Sequence, residues 1–196
     1  MIAFGMLFLL VYIAGSVNFA ILVFNAIGKA DPRTLFSGNA GTTNVYRQAG
    51  WAWATLVLLL DLGRALAATA LAVHFLPAGA VPWIGLSLVL GNRFPCFHAF
   101  RGGKGVAGFL GFTILLAPVA ALAAALGWVA VYRIVRIPFV ASFFMISVLA
   151  IGTMIAYSFE AAAASGTIAT ALLIVFNHRQ NMAELVDRRG KSHENT

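Results

Sequence analysis

Long apolar segments, interrupted by short polar runs, make up most of this 196-residue chain. A helix of about 20 apolar residues is long enough to cross a bilayer. Hydrophobic residues account for 61% of the sequence and charged residues for 10%. Such a composition excludes a disordered chain and leaves too few polar residues to cover a water-soluble core. We therefore predict an all-α integral membrane protein.

Glycine, proline and charged residues divide the apolar sequence into seven predicted helices. They cover residues 2–27, 51–76, 80–98, 104–116, 118–134, 138–158 and 161–177. The first lacks a basic leader and a small-residue cleavage site, so we interpret it as a retained helix. The fourth is too short for a full span and is expected to form a half-span or to continue through a kink at Pro118. We treat residues 1–196 as one membrane domain with a tail at 178–196.

The basic residues of the loops gather on one face of this arrangement. With seven crossings, that face receives the Lys and Arg residues of the loops and the tail, and the opposite face receives none. With six crossings this partition fails, because the last loops change sides. Since basic loops stay in the cytoplasm, we predict seven spans, an N-terminus outside and a cytoplasmic C-terminus.

Two polar, glycine-rich runs fall on the predicted cytoplasmic face. They read Ser37-Gly38-Asn39-Ala40-Gly41-Thr42-Thr43-Asn44-Val45-Tyr46-Arg47 and Arg101-Gly102-Gly103-Lys104-Gly105. Backbone N–H groups in such turns bind anions, above all beside a helix N-terminus, and an Arg fork suits phosphate. A plain polar loop is the alternative for any single residue. The density of polar groups favours an anion site, but the second run lacks the spacing of a Walker A loop and predicts no nucleotide.

Four further polar residues lie in or beside the predicted helices. Asp61 and Arg64 are three residues apart on one helix face, where burial is costly unless they pair or face a polar cavity. Asn92 lies near the cytoplasmic end of the third helix. His178 follows the last helix and is a candidate general base, because histidine titrates near neutral pH. The single cysteine, Cys96, excludes an internal disulfide and is expected to be a buried thiol.

The cytoplasmic motifs contain no cluster of carboxylates or histidines at the spacing of metal ligands. We therefore expect neither a metal nor another cofactor.

These motifs, in this order, resemble those of the bacterial acyl-phosphate:glycerol-3-phosphate acyltransferase family. The resemblance covers nearly the whole chain: the stretches 15–50 and 91–107, Asp61, and the His178-x-x-Asn181 pair. The chain departs from the family's usual residues at four positions. It has Asn92 where His is usual, Arg64 where Lys is usual, Glu184 where Arg is usual and Arg188 where Gly is usual.

The resemblance implies transfer of a fatty acyl group from acyl phosphate to the sn-1 hydroxyl of glycerol 3-phosphate at the cell inner membrane. The products would be lysophosphatidate and phosphate, and an enzyme that makes acyl phosphate would act upstream. On this interpretation Ser37, Lys104 and His178 are the catalytic candidates. The candidates for binding phosphate and substrate are Asn39, Thr43, Asn44, Arg47, Arg101, Gly102, Gly103, Gly105 and Asn181.

Two other functions fit the same residues. A transporter or flippase of an anionic substrate would explain the basic face and the charges of Asp61 and Arg64, although no inverted repeat is evident. A non-catalytic homologue that binds lipid headgroups would explain Asn92 and the altered motif after Asn181. A nucleic-acid partner is not expected, because the basic residues flank bilayer spans. Product formation separates the enzyme from both alternatives.

Overall fold

The structure, a computed structural model, describes the backbone of residues 1–194 and the side chains of residues 1–187. Residues 195 and 196 of the predicted tail lie outside the described residues. The described part contains ten α-helices: α1 Ile2–Ser16, α2 Phe19–Ala26, α3 Thr42–Ala49, α4 Trp51–Phe75, α5 Val81–Arg93, α6 Val106–Leu116, α7 Pro118–Val135, α8 Pro138–Ala156, α9 Ala161–Asn177 and α10 Arg179–Glu194. Two 3-10 turns, Pro32–Thr34 and Ala78–Ala80, complete it. The predicted all-α fold is confirmed.

Four stretches in the described residues are long and apolar enough to cross a membrane: Ile2–Ala26, which combines α1 and α2, together with α4, α7 and α8. The pair formed by α9 and the first part of α10 makes a fifth if it is counted as one bent span. Helix α6 has 11 residues, as its short apolar segment predicts. The count of seven spans stays a prediction.

The first predicted helix, residues 2–27, is divided into α1 and α2 by a break at Val17 and Asn18. The Asn18 side chain caps α2, since its Oδ1 accepts a hydrogen bond from the backbone N–H of Ile21 at 3.1 Å. A break inside an apolar span leaves carbonyls without partners, which is costly in lipid. The prediction of one continuous helix is wrong because it ignored this cap.

The guanidinium of Arg64, on α4, satisfies the carbonyls at that break. Its Nη1 donates to the carbonyls of Ala14 and Gly15, each at 3.2 Å, and to that of Val17. Its Nη2 donates to Asp61 Oδ1 at 2.7 Å, which forms the expected ion pair. Arg64 therefore joins α4 to the end of α1.

Helices α1 and α5 pack with their backbones in close contact. A Cβ atom on Gly91 would lie 2.2 Å from the carbonyl oxygen of Tyr12, and one on Gly15 would lie 2.6 Å from that of Leu88. Small residues allow this approach between membrane helices. The contact places the C-terminal end of α5 beside the polar loop that follows α2.

The structure differs from the sequence predictions in where α5 ends and in the exposure of Cys96. The helix ends at Arg93 rather than at residue 98, and a loop leads from there to α6. Cys96 lies in this loop and is exposed with a free thiol, so the prediction of a buried thiol is wrong. Helix α3, which begins within the polar run 37–47, is a further element that the sequence did not predict.

Candidate active site

A cavity of about 410 Å³ lies where three connections between helices meet the start of α8. These connections are α2–α3, α5–α6 and α9–α10. The polar lining comes from the two glycine-rich runs, α4, α5, α8 and the chain around His178: Ser37, Asn39, Thr42, Thr43, Asn44, Arg47, Asp61, Asn92, Lys104, Ser142, His178 and Asn181. The apolar lining comes mainly from α6, α7 and α8: Val106, Leu110, Ala125, Trp128, Val129, Phe139 and Met145. The cavity therefore suits a ligand with a charged headgroup and an apolar chain.

Lys104 projects into this cavity from the loop before α6. Its Nζ donates a hydrogen bond to Asn181 Oδ1, and its backbone carbonyl accepts one from Asn177 Nδ2 at 3.2 Å. Burial lowers the pKa of Lys104 to about 8; the charge of Glu184 acts against this change, and those of Arg47 and Arg93 add to it. The ammonium is thus charged at neutral pH but poorly solvated, which strengthens its attraction to an anion.

His178 is almost completely buried, with 2% of its surface exposed, between the cavity and Phe143. Its Nδ1 lies 2.8 Å from the carbonyl oxygen of Ile174. A carbonyl only accepts, so Nδ1 carries the proton of the neutral ring and Nε2 is the acceptor. Burial, followed by the charge of Lys104, lowers the pKa of His178 to about 4. The neutral ring accepts hydrogen bonds near pH 7 but is a weak base.

Gly102 and Gly103 attach the second glycine-rich run to the end of α5. Their N–H groups donate to the carbonyls of Arg93 and Asn92 at 3.2 and 2.9 Å. A Cβ atom on Gly102 would lie 2.0 Å from the Asn92 carbonyl oxygen. These N–H groups therefore donate to backbone carbonyls of α5, and a role of the two glycines in binding phosphate stays a prediction. Neither residue lines the cavity.

The other residues of that run divide between the cavity and the surface. Gly105 lines the cavity and has φ +91, a left-handed conformation that glycine adopts without strain. The side chain of Arg101 is exposed and does not line the cavity. The prediction that Arg101 binds substrate therefore lacks support from its position.

Asn44 shapes the first polar run. Its side chain is 1% exposed, and its Nδ2 donates to the carbonyls of Pro32 and Asn39 at 2.7 and 3.0 Å. Asn18 adds a second anchor, since its Nδ2 donates to the Ala40 carbonyl at 3.3 Å. These amides hold the loop against the start of α2 and leave its other polar side chains facing the cavity.

The N-terminus of α3 faces the cavity, where Gly41, Thr42 and Thr43 form part of the wall. The positive end of a helix dipole attracts anions. Arg47 follows on the same helix and also lines the cavity, although its side chain is exposed. Sequence reasoning identified these residues as a polar loop and missed the helix that orients them.

Sequence reasoning also missed the role of Arg33. Its Nη1 donates to the carbonyls of His98 and Arg101 at 3.0 and 2.5 Å. Arg33 Nη2 lies 2.5 Å from Asp31 Oδ2. This hydrogen bond from Arg33 lowers the pKa of Asp31 below its ordinary value. Arg33 thus connects the loop after α2 with the loop after α5. The Asp31-Pro32-Arg33 triplet is the sequence signal for this contact.

Known proteins resemble this chain in sequence and fold. Residues 5–188 match the family described as glycerol-3-phosphate acyltransferase. The chain is 40% identical over 182 residues to the glycerol-3-phosphate acyltransferase of Laribacter hongkongensis, and each chain is 90% covered. It is 36% identical over 177 residues to that of Methylobacillus flagellatus, again with 90% of each chain covered.

The fold matches crystal structures of PlsY (YgiH), an integral membrane glycerol 3-phosphate acyltransferase. The glycerol 3-phosphate form has a TM-score of 0.87 and 29% identity, and the lysophosphatidic acid form has 0.84 and 28%. Each comparison covers 95% of this chain and 93% of the other. With the apolar helices, this likeness confirms a multi-pass membrane protein. The chain therefore belongs to the PlsY family of glycerol-3-phosphate acyltransferases, as its motifs predict.

Proposed function

We propose that this membrane acyltransferase transfers a fatty acyl group from acyl phosphate to the sn-1 hydroxyl of glycerol 3-phosphate. The products are lysophosphatidate and inorganic phosphate. One observation carries the proposal: Lys104, His178 and Ser37 line the same cavity as the apolar side chains of α6, α7 and α8. Two phosphorylated substrates need cations, and a fatty chain needs an apolar wall. The relatives named glycerol-3-phosphate acyltransferase support the choice of acceptor.

The phosphate groups bind between Lys104 and the N-terminal end of α3. Lys104 supplies a poorly solvated positive charge, and Arg47 supplies a fork that fits phosphate oxygens. The hydroxyl groups of Ser37 and Thr43 complete the donor set. Asn181 holds Lys104 through its Oδ1 before a substrate arrives.

The acceptor hydroxyl attacks the carbonyl carbon of acyl phosphate and forms the new ester C–O bond. The bond between that carbon and the bridging phosphate oxygen breaks, and the departing phosphate takes the hydroxyl proton. His178 Nε2 accepts a hydrogen bond from the neighbouring hydroxyl of glycerol 3-phosphate and so orients the acceptor, while the proton of the attacking hydroxyl points to the phosphate. A histidine with a pKa near 4 holds a proton weakly, so the phosphate is the more effective base.

Lys104 and Ser37 stabilise the negative charge that develops on the reacting oxygens. Removing one such preorganised donor commonly costs about 2.7–4 kcal/mol of transition-state stabilisation. Acyl phosphate is already an activated donor, so the reaction needs no acyl-enzyme on Ser37. Ser37 acts as a hydrogen-bond donor in this scheme.

We place the cavity at the cytoplasmic side of the cell inner membrane, with the N-terminus outside and the C-terminus in the cytoplasm. The segments that connect α2 with α4, α5 with α6 and α7 with α8 carry Arg33, Arg47, Arg101, Lys104 and Arg136. Basic loops of this kind remain cytoplasmic.

The test is phosphate release by purified protein given palmitoyl phosphate, with and without glycerol 3-phosphate. We expect release that depends on glycerol 3-phosphate, is lost in Lys104→Ala and is kept in Lys29→Ala, where an exposed lysine outside the cavity is removed. A folded, monodisperse protein that releases no phosphate would overturn the proposal. Binding of lipid headgroups or transport of an anion would then be the functions to measure.

A further inference from the structure

Two side chains in the wall formed by α6, α7 and α8 are hydrogen-bonded to each other. Trp128 on α7 and Ser142 on α8 both line the cavity. Trp128 Nε1 donates to Ser142 Oγ at 3.2 Å, and that hydroxyl donates to the carbonyl oxygen of Pro138 at 3.0 Å. An indole has a single donor, so the pair adds no unpaired N–H to the apolar wall. It also ties the indole of α7 to α8.

The surroundings of Trp128 hold its indole in one orientation. The hydrogen bond to Ser142 fixes the Nε1 edge. The ring stacks on that of Tyr132, with ring centroids 5.2 Å apart and 25° between the planes. Next to it in the chain, Gly127 lets α7 approach α8 closely, since a Cβ atom there would lie 2.2 Å from Phe144 Cε1. The ring is therefore a fixed part of the wall and turns aside only if the hydrogen bond breaks.

The hydrogen-bonded pair lies in the middle of this wall rather than at its end. On α8, Phe139 lines the cavity about one turn before Ser142, and Met145 lines it about one turn after. On α7, Ala125 lines it about one turn before Trp128. An acyl chain that follows the wall of α7 and α8 therefore passes the indole.

Trp128 is the largest of the described residues that line the cavity. A side chain that is held in place limits the width of the space next to it, and forcing extra methyl groups against such a wall is costly. We propose that Trp128, held by Ser142, is a specificity-determining residue that favours straight acyl chains over chains with methyl branches. The assignment rests on the proposed function, because it takes the acyl donor as the ligand of the apolar wall.

The first test compares palmitoyl phosphate with phytanoyl phosphate, whose main chain has the same length and carries a methyl branch at every fourth carbon. The ratio of the two kcat/KM values cancels the concentration of active protein, so a variant that folds poorly still gives a valid ratio. In Trp128→Leu we expect the preference for palmitoyl phosphate to fall by about tenfold or more, since hydrophobic pockets discriminate single methylene groups by roughly 10–200-fold. In Ser142→Ala we expect a fall of about threefold, because one hydrogen bond less holds the ring.

Ser147→Ala is the matched control for Ser142→Ala. Ser147 also lies on α8, and its Oγ donates to the carbonyl oxygen of Phe143 at 3.0 Å, but the residue is exposed and does not line the cavity. Trp51→Leu is the control for the indole, since Trp51 is exposed and lies outside the cavity. We expect both controls to keep the wild-type ratio. An unchanged ratio in Trp128→Leu would overturn the proposal, and a change in Ser142→Ala no larger than in Ser147→Ala would overturn the role of the hydrogen bond.

The second test detects the acyl chain without turnover. Bromine atoms on the chain of lysophosphatidate quench tryptophan fluorescence on contact, and the difference between wild type and Trp128→Phe gives the part that belongs to Trp128. We expect that part to be quenched, and to be restored by excess unbrominated lysophosphatidate but not by lysophosphatidylcholine, which lacks the free phosphate.

Two results of the fluorescence test would overturn the proposal. Equal quenching in wild type and Trp128→Phe would mean that the chain lies away from the ring. Equal restoration by lysophosphatidylcholine would mean that any membrane lipid occupies this wall. A wild-type protein that turns over neither acyl phosphate would instead refute the proposed function, and the quenching would still decide whether an acyl chain lies beside Trp128.

Discussion

Arg33 Nη1 donates a hydrogen bond to the carbonyl oxygen of Arg101 at 2.5 Å and so joins the loop after α2 to the loop after α5. Arg33→Ala removes this contact, the one to His98 and the pair with Asp31. Hydrogen bonds to charged groups are each worth about 1.5–3 kcal/mol, so we expect a loss of that order in the free energy of unfolding. We also expect kcat/KM to fall at least tenfold, because the loops lose their relative position.

Arg133→Ala is the control for this prediction, since Arg133 is exposed and lies at the end of α7. It should leave the unfolding free energy and kcat/KM near their wild-type values. Thermal unfolding in detergent and initial rates of phosphate release measure the two effects. An Arg33→Ala protein as active as Arg133→Ala would show that the two loops keep their positions without this contact.

Gly103→Ala tests the attachment of the second glycine-rich run to α5. The new Cβ atom would lie 2.6 Å from Asn92 Oδ1 and 2.9 Å from the Ala40 carbonyl oxygen. Overpacking of this kind costs about 1–3 kcal/mol, and the displaced loop would carry Lys104 with it. We expect a lower melting temperature and a strong loss of activity.

Gly63→Ala is the matched comparison for that variant. A Cβ atom on Gly63 meets no described atom within 4 Å, and the residue lies inside α4. Alanine there should be neutral or stabilise the helix by up to about 1 kcal/mol. Equal melting temperatures and activities for the two alanine variants would contradict the close packing at Gly103.

Arg64→Met tests the break between α1 and α2. The variant leaves Asp61 without its partner and removes the donor to the carbonyls of Ala14, Gly15 and Val17. Removing one member of a buried pair costs about 3–5 kcal/mol. The double variant with Asp61→Asn should recover part of this loss. A single variant as stable as the wild type in detergent unfolding would mean that other groups satisfy the break.

The pH profile of kcat/KM separates Lys104 from His178. The pKa of Lys104 is lowered to about 8, so its charge is present below that pH and is lost as the pH rises through it. The pKa of His178 is lowered to about 4, so the ring stays neutral above about pH 5. We expect activity to fall above pH 8 and no loss from His178 between pH 5 and 7.

His178→Gln identifies the source of any loss on the acid side. Phosphate groups titrate near pH 6, so an acid limb from the substrate should be identical in the variant and the wild type. Glutamine can also accept a hydrogen bond, and we expect it to retain far more activity than His178→Phe. An acid limb that disappears in His178→Gln would assign that proton to the histidine and make it the base.

Much of the fold follows from the sequence because helix ends carry local signals. Pro118 and Pro138 begin α7 and α8, where a missing N–H costs nothing. The short length of α6 is also predictable, because the helix lies between Gly105 and Pro118. The grouping of Lys104, His178 and the polar run at one site also follows from their common predicted face.

The remaining features depend on contacts that a local pattern does not contain. The break at Asn18 lies in an apolar stretch, and its donor, Arg64, comes from another helix. The hydrogen bonds that the N–H groups of Gly102 and Gly103 donate depend on where the end of α5 lies. Their glycine-rich pattern alone is equally typical of a phosphate loop, so it does not predict the hydrogen bonds of their N–H groups to the carbonyls of α5.

The amide of Asn18 links two parts of the molecule that meet different surroundings. Its Oδ1 fixes the start of an apolar helix, while its Nδ2 holds the loop that lines the cavity. A membrane span adjusts its tilt when the bilayer becomes thicker or thinner. A change in the angle between α1 and α2 would reach the loop that lines the cavity through this side chain, so we expect the rate of the acyltransferase to vary with the thickness of the bilayer around it.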